Sequence, residues 1–209
     1  MRLFRIYKKL YKFFGPQRWW PRMLRGEEGI FEICVGAILT QNTNWNNVVL
    51  VLRNMHEAEL TCPERVAQVR AAKLQACVRA SGYYRQKAKK LKIFSKYICD
   101  NYSGKTSCLL KGGLVGKREE LLGLWGLGPE TADSILLYAG VKPIFVIDAY
   151  TKRLCQNLGV ELVDYDDYRL YFESNLPKSV KLYKEYHALI VAWGKLLTKD
   201  KDKALLLIK

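Results

Sequence analysis

An all-α fold is what this sequence predicts, and three observations carry that expectation. Apolar residues recur at three- and four-residue intervals through most of the chain, prolines stand at first-turn positions, and a single apolar run has strand character. One strand without a partner cannot make a sheet. In chain order, "MRLFRIYKKLYKFF" puts Leu3, Ile6, Tyr7, Leu10, Phe13 and Phe14 on one helical face with Lys and Arg opposite. Such a face docks on the rest of the fold or lies on an anionic membrane, and docking is the expectation. The spacing then predicts helices over 27–40, 45–55, 63–80, 84–101, 117–124, 129–140, 149–158, 166–174 and 179–198. Pro63 and Pro129 open two of them, where a missing amide proton costs nothing. "KPIFVI", 142–147, is the strand-like run and reads as a buried extended connection. Loops are expected at 101–116 and near 159–165, and "TKDKDKALLLIK" reads as a solvated, partly frayed tail.

Composition bounds the function. The 209 residues carry 35 Lys and Arg against 20 Asp and Glu, a formal charge of +15, while 49% apolar content excludes a disordered basic tail. A surplus of that size suggests a polyanionic partner: nucleic acid first, an anionic membrane surface second. No apolar run is long enough to span a bilayer and no signal-peptide core is visible, so a cytoplasmic, nucleoid-associated protein is expected. Six cysteines, at 34, 62, 77, 99, 108 and 155, form no CxxC pair and read as reduced core thiols.

The stretch "LWGLGPETA", 124–132, reverses one helix into the next within about four residues, which calls for backbone angles that glycine adopts cheaply. Gly126 and Gly128 are the residues expected to supply them. A helix restarting at Pro129 leaves amides around Gly126, Leu127 and Gly128 open to a phosphate, unless the hairpin is simply a tight turn without a ligand. Asp148 stands just before a predicted helix, where it is an N-cap, a catalytic carboxylate or both.

Read with its surroundings, this stretch resembles the helix-hairpin-helix motif of the DNA glycosylase superfamily typified by endonuclease III. "VKPIFVIDAYTKRL" sets Asp148 at the place of the family's catalytic aspartate, and "GAILTQNTNWNNV" (36–48) and "ASGYYRQKAKKL" (80–91) are similar to further family segments. The resemblance covers roughly 29–158. It implies a two-lobed helical fold: one lobe of six helices over 29–141 that holds the hairpin, a second from 1–28 plus 142–209 that carries Asp148, and a cleft between them for duplex DNA. It implies removal of a damaged base, with Asp148 stabilising the positive charge that develops on the sugar. Bifunctional relatives place a Schiff-base lysine in the second hairpin helix. Glu130 stands there in this sequence, so a monofunctional glycosylase without lyase activity is implied.

A base must leave the stack to be cut, and the resemblance offers residues for each task. Gln41 matches the residue that fills the vacated gap. Trp19, Trp20 and Trp45 match aromatics of the 3-methyladenine glycosylases and would hold an alkylated, cationic purine, although tryptophans also serve as plain packing. Glu130 either contacts the extruded base or is a first-turn acid. Thr131, Arg85, Lys87 and Lys89 are expected on the DNA side, the alternative for the basic run being a solvated face. The rival readings are removal of a mismatched or deaminated base or of an oxidised pyrimidine, and a binding module that has lost catalysis. Many relatives hold an iron–sulfur cluster on four C-terminal cysteines. No cysteine follows Cys155 here, so no cluster, no other cofactor and no metal ligands are expected. His187 then reads as a core or capping histidine, and the protein as a monomer.

Overall fold

The computed structural model describes residues 2–209. In chain order the helices are α1 (Arg2–Phe14), α2 (Gly26–Leu39), α3 (Trp45–Glu57), α4 (Pro63–Gln68), α5 (Ala71–Val78), α6 (Tyr84–Tyr102), α7 (Thr106–Leu109), α8 (Leu114–Leu122), α9 (Pro129–Ser134, running on through the wider turn Ile135–Ala139), α10 (Ala149–Asn157), α11 (Tyr165–Ser174), α12 (Val180–Lys199) and α13 (Lys201–Ile208). Among the described residues there is no β-strand, so the all-α expectation is met. None of these helices is long and apolar enough to cross a membrane. The chain divides into two compact units, Arg22–Gly140 and a second formed by Met1–Pro21 with Val141–Lys209.

In the unit Arg22–Gly140, α2 is the central helix. Gly29, Phe31 and every residue from Glu32 to Leu39 are buried, which an amphipathic surface helix never shows. Phe31 stacks on Phe94 of α6 with ring centroids 6.5 Å apart. The expected single helix over 63–80 is broken: Val69 and Arg70 are extended, with ψ of 143° and 136°. No proline or glycine marks that break. The carbonyl it frees on Val69 accepts from Lys92 Nζ of α6, so a tertiary contact satisfies a group that a continuous helix would have paired. The expected loop 101–116 contains the short α7, anchored by buried Leu109.

In the unit Met1–Pro21 with Val141–Lys209, α1 buries Leu3, Ile6 and Leu10, whereas Phe13 stays 44% exposed beneath Lys203 Nζ. Residues 144–147 are fully buried and belong to no helix or strand. Phe145 stacks on Phe172 of α11 at 4.3 Å and meets Tyr183 and Tyr186 of α12 edge-on. Tyr186 Oη donates to the Leu3 carbonyl at 2.9 Å, tying α1 to α12. The C-terminal stretch corrects the frayed-tail expectation: α13 docks, with Ala204 and Ile208 buried. Trp193 Nε1 donates to the Ala204 carbonyl at 2.9 Å. The charge run only begins the helix, where the Asp200 side chain caps the Lys203 amide at 3.0 Å.

Candidate active site

The connection 142–147 ends at Asp148, which caps α10 with φ −102° and ψ −178°. Its Oδ1 accepts from the Thr151 amide at 2.7 Å and from Thr151 Oγ1 at 2.8 Å. Oδ2 lies 3.4 Å from Nε2 of His187 on α12, and the Asp148 side chain is 13% exposed. Burial pushes this carboxyl upward. The bond and charge of His187 and the two Thr151 bonds outweigh that push and hold Asp148 below the ordinary aspartate range. The carboxylate is therefore ionised and aimed by both of its oxygens, a geometry suited to facing developing positive charge.

Helix docking brings the pair together. A Cβ on Gly194 would lie 2.1 Å from the Tyr150 ring, so α10 approaches α12 at that glycine as no other residue would allow. Gly194 and His187 are two turns apart on one face of α12, and Tyr150 and Asp148 are their respective neighbours from α10. Trp19 meets the His187 ring edge-on at 5.9 Å, and Trp20 lies 6.2 Å from Trp19. The Gln17 amide donates to Glu185 Oε1 at 2.6 Å, pinning the segment that carries both tryptophans to α12. Asp148, Trp19 and Trp20 are thus assembled in one place. His187 was expected as an ordinary core or capping residue. It is buried, but it pairs with Asp148. Thirty-nine positions separate the two in the chain, and no local pattern links them.

The hairpin forms a second constellation, within the unit Arg22–Gly140. Gly126 has φ +85°, while Gly128 is extended at φ −87° and ψ 174°. The expectation that both glycines supply turn angles is corrected: only Gly126 needs that freedom. Beside Gly128 nothing lies within 4 Å of an added Cβ, so its lack of a side chain leaves open space in front of the backbone. The Arg118 Nε bond to buried Asp133 Oδ1, 2.7 Å, joins α8 to α9. Gln41 Nε2 donates to the Gly126 carbonyl at 3.2 Å and to Thr131 Oγ1 at 2.8 Å. Lys90 Nζ donates to Gln41 Oε1.

The remaining candidates divide. Leu127 and Thr131 are buried, so Leu127 offers only backbone outward and the Thr131 hydroxyl is occupied by Gln41. Trp45 opens α3, partly buried, directly after the capping Asn44. Glu130 is exposed in the first turn of α9. Arg85 and Lys89 are exposed on α6. Lys87 is not: at 2% exposure its Nζ donates to the carbonyls of Leu39 at 2.9 Å and Ser81 at 2.6 Å. The expected phosphate contact by Lys87 is therefore replaced by a structural role, closing the C-terminal end of α2. Burial lowers this amine to about 8. Trp125, absent from the sequence-predicted candidates, is 50% exposed with Lys89 Nζ 4.3 Å above its ring. Tryptophan beside a hairpin glycine on a basic protein was the available signal.

The residues do not fit an iron–sulfur cluster. The stretch after α12 is the thiol-free α13, Cys34 and Cys155 are buried, and burial pushes the Cys155 thiol up to about 12. Among the described residues no group of three or more His, Cys, Asp or Glu side chains is placed to hold a metal ion.

An all-helical chain with a glycine hairpin and a capped, ionised aspartate about twenty residues beyond it defines a class of base-excision proteins. The chain belongs to the HhH-GPD superfamily of base excision DNA repair proteins, whose family model matches residues 35–176. It is 46% identical over 193 residues to a candidate DNA repair glycosylase of Methanocaldococcus jannaschii, spanning 90% of this chain and 85% of that one. Endonuclease III of Thermotoga maritima is 29% identical over 129 residues, 62% of this chain and 56% of the relative. Among solved structures, the H. pylori 3-methyladenine DNA glycosylase bound to 1,N6-ethenoadenine superposes with TM-score 0.80 and 31% identity. That match covers 95% of this chain and 98% of the other.

Proposed function

We propose that this DNA glycosylase is monofunctional and removes an alkylated purine, such as 3-methyladenine, from duplex DNA. The observation that carries the reading is the Asp148 carboxylate, held below the ordinary aspartate range by His187 and Thr151. An ionised carboxylate stabilises positive charge on the sugar as the base departs and orients the attacking water. Glu130 stands where bifunctional relatives carry their lysine, and a carboxylate forms no imine. Trp19 and Trp20, gathered beside His187, suit a cationic base, because alkylation that charges the base strengthens its attraction to an aromatic face. It also weakens the bond to be cut. The H. pylori neighbour is bound to 1,N6-ethenoadenine, a modified adenine, which favours the same substrate class. Exposed Arg85 and Lys89 and the open backbone at Gly128 supply contacts to phosphate. The proposed chemistry calls on no iron–sulfur cluster.

The test is to incubate the protein with methylated genomic DNA and identify the freed bases by chromatography. Release of 3-methyladenine is expected, and release of none but uracil, thymine or oxidised pyrimidines would reassign the substrate. Borohydride added during turnover is expected to trap no covalent complex; a trapped one would show that another amine has taken over.

A further inference from the structure

We propose that His187 is the positioning residue of the Asp148 carboxylate, and that its edge contact with Trp19 fixes the ring that does so. The inference deepens the glycosylase reading and rests on it. The two carboxylate oxygens have different partners. Oδ1 is taken by α10 itself through the Thr151 amide and hydroxyl, an arrangement that any capped helix provides. Oδ2 is 3.4 Å from Nε2 of His187, which comes from another helix. Capping alone leaves the plane of the carboxylate free to turn about its side chain. A second anchor from α12 removes that freedom. The anchor is itself built: the ring is buried, Trp19 stands against it at 5.9 Å, and the approach of α10 to α12 is set by Tyr150 on Gly194.

The groups facing the carboxylate are the Thr151 amide and hydroxyl from α10 and the imidazole from α12. Of these, the imidazole is the ionisable one. Burial opposes the charged carboxylate, and His187 is the first of the contributions that reverse the opposition. Without it, Asp148 keeps its cap and its burial and loses the partner of Oδ2 that opposes the effect of burial. The carboxyl would then accept a proton at a higher pH, and activity that needs the carboxylate would fail earlier as pH falls.

The experiment measures the Asp148 carboxyl directly, by carbon-13 NMR titration of aspartate-labelled protein with Asp148→Asn to assign the signal. Single-turnover base release from alkylated duplex is followed across pH 4.5–8.5 in parallel. His187→Leu and His187→Gln are expected to raise the midpoint of the carboxyl titration, and the acid limb of the rate should move with it. At pH values between the two midpoints the variants lose about tenfold in rate for each pH unit below their own midpoint. Gln retains a donor but cannot ionise, so at pH 8 it should recover part of the rate that the Leu variant loses while keeping the raised midpoint. A purely structural histidine would lower melting temperature and rate alike at every pH and leave the midpoint where it was. That result, in either folded variant, overturns the proposal. Should wild type free no base from alkylated DNA, the substrate reading fails, yet the NMR midpoint still decides whether His187 tunes Asp148.

Discussion

At Asp148 two duties coincide, and a single substitution separates them. Asn is isosteric, and its amide oxygen still accepts from the Thr151 amide, so the cap on α10 should survive Asp148→Asn with little change in melting temperature. The negative charge does not survive. Base release is expected to fall by about 10²–10⁴ while duplex affinity stays within about twofold, judged by single-turnover kinetics beside fluorescence anisotropy. Lys87 poses the opposite case, a charge with no outward duty. Lys87→Met leaves the Leu39 and Ser81 carbonyls without their donor and should cost about 1–3 kcal/mol of stability, with duplex affinity unchanged. A pH dependence accompanies it. The folded amine titrates at about 8, against an ordinary lysine value of 10.5. Between those values the unfolded chain binds the proton and the folded one does not, so stability contributed by this site rises with pH there, at most about 1.4 kcal/mol per pH unit. The advantage of wild type over Lys87→Met in urea melts should therefore widen from pH 8 to 10. Charge run and helical spacing made "YRQKAKK" legible as a basic helix. Which lysine turned inward was not legible, because that depends on where α2 ends and on carbonyls distant in the chain.

At the scale of elements the hairpin offers a paired test. Gly126→Ala forces a side chain onto φ +85° and sets its Cβ 2.7–2.9 Å from the Lys90 stem. The expected loss is about 1–2 kcal/mol, with disturbance of the Lys90–Gln41 contact. Gly128→Ala meets neither obstacle, and its stability should stay within about 0.5 kcal/mol of wild type. If the open backbone there receives a phosphate, Gly128→Ala nonetheless weakens binding to damaged and undamaged duplexes alike. Weakening confined to one lesion would point to the base pocket instead. The glycine spacing and Pro129 made the hairpin legible, since both act locally. The break between α4 and α5 and the docking of α13 were not legible. Each is decided by a distant partner: Lys92 on the Val69 carbonyl, and Trp193 on the Ala204 carbonyl. A charged stretch ahead of "ALLLI" reads as a tail only while the surface that covers it is unknown.

Across the whole molecule, the excess of basic residues makes a demand that no single contact does. A formal charge of +15 on 209 residues predicts that duplex binding is driven largely by counterion release, so that affinity falls linearly in log–log plots against salt. A protein making six to ten phosphate contacts loses about 10³–10⁵ in affinity between 50 and 200 mM salt. The structure divides the basic residues into those able to contribute and those that cannot. Arg85 and Lys89 are exposed on α6, and Lys89 is steadied over the Trp125 ring. Lys87, between them in sequence, is committed to carbonyls inside. Replacing Arg85 and Lys89 together by Gln should reduce the slope of log affinity against log salt by about 2, equally for damaged and undamaged duplexes. Lys87→Met should leave that slope unaltered. The measurement is anisotropy on one labelled duplex across a salt series, with the catalytically silent Asp148→Asn background preventing turnover. A double variant with the wild-type slope would remove α6 from the DNA-binding surface, and the balance of charge would then have to act through other lysines and arginines of the chain.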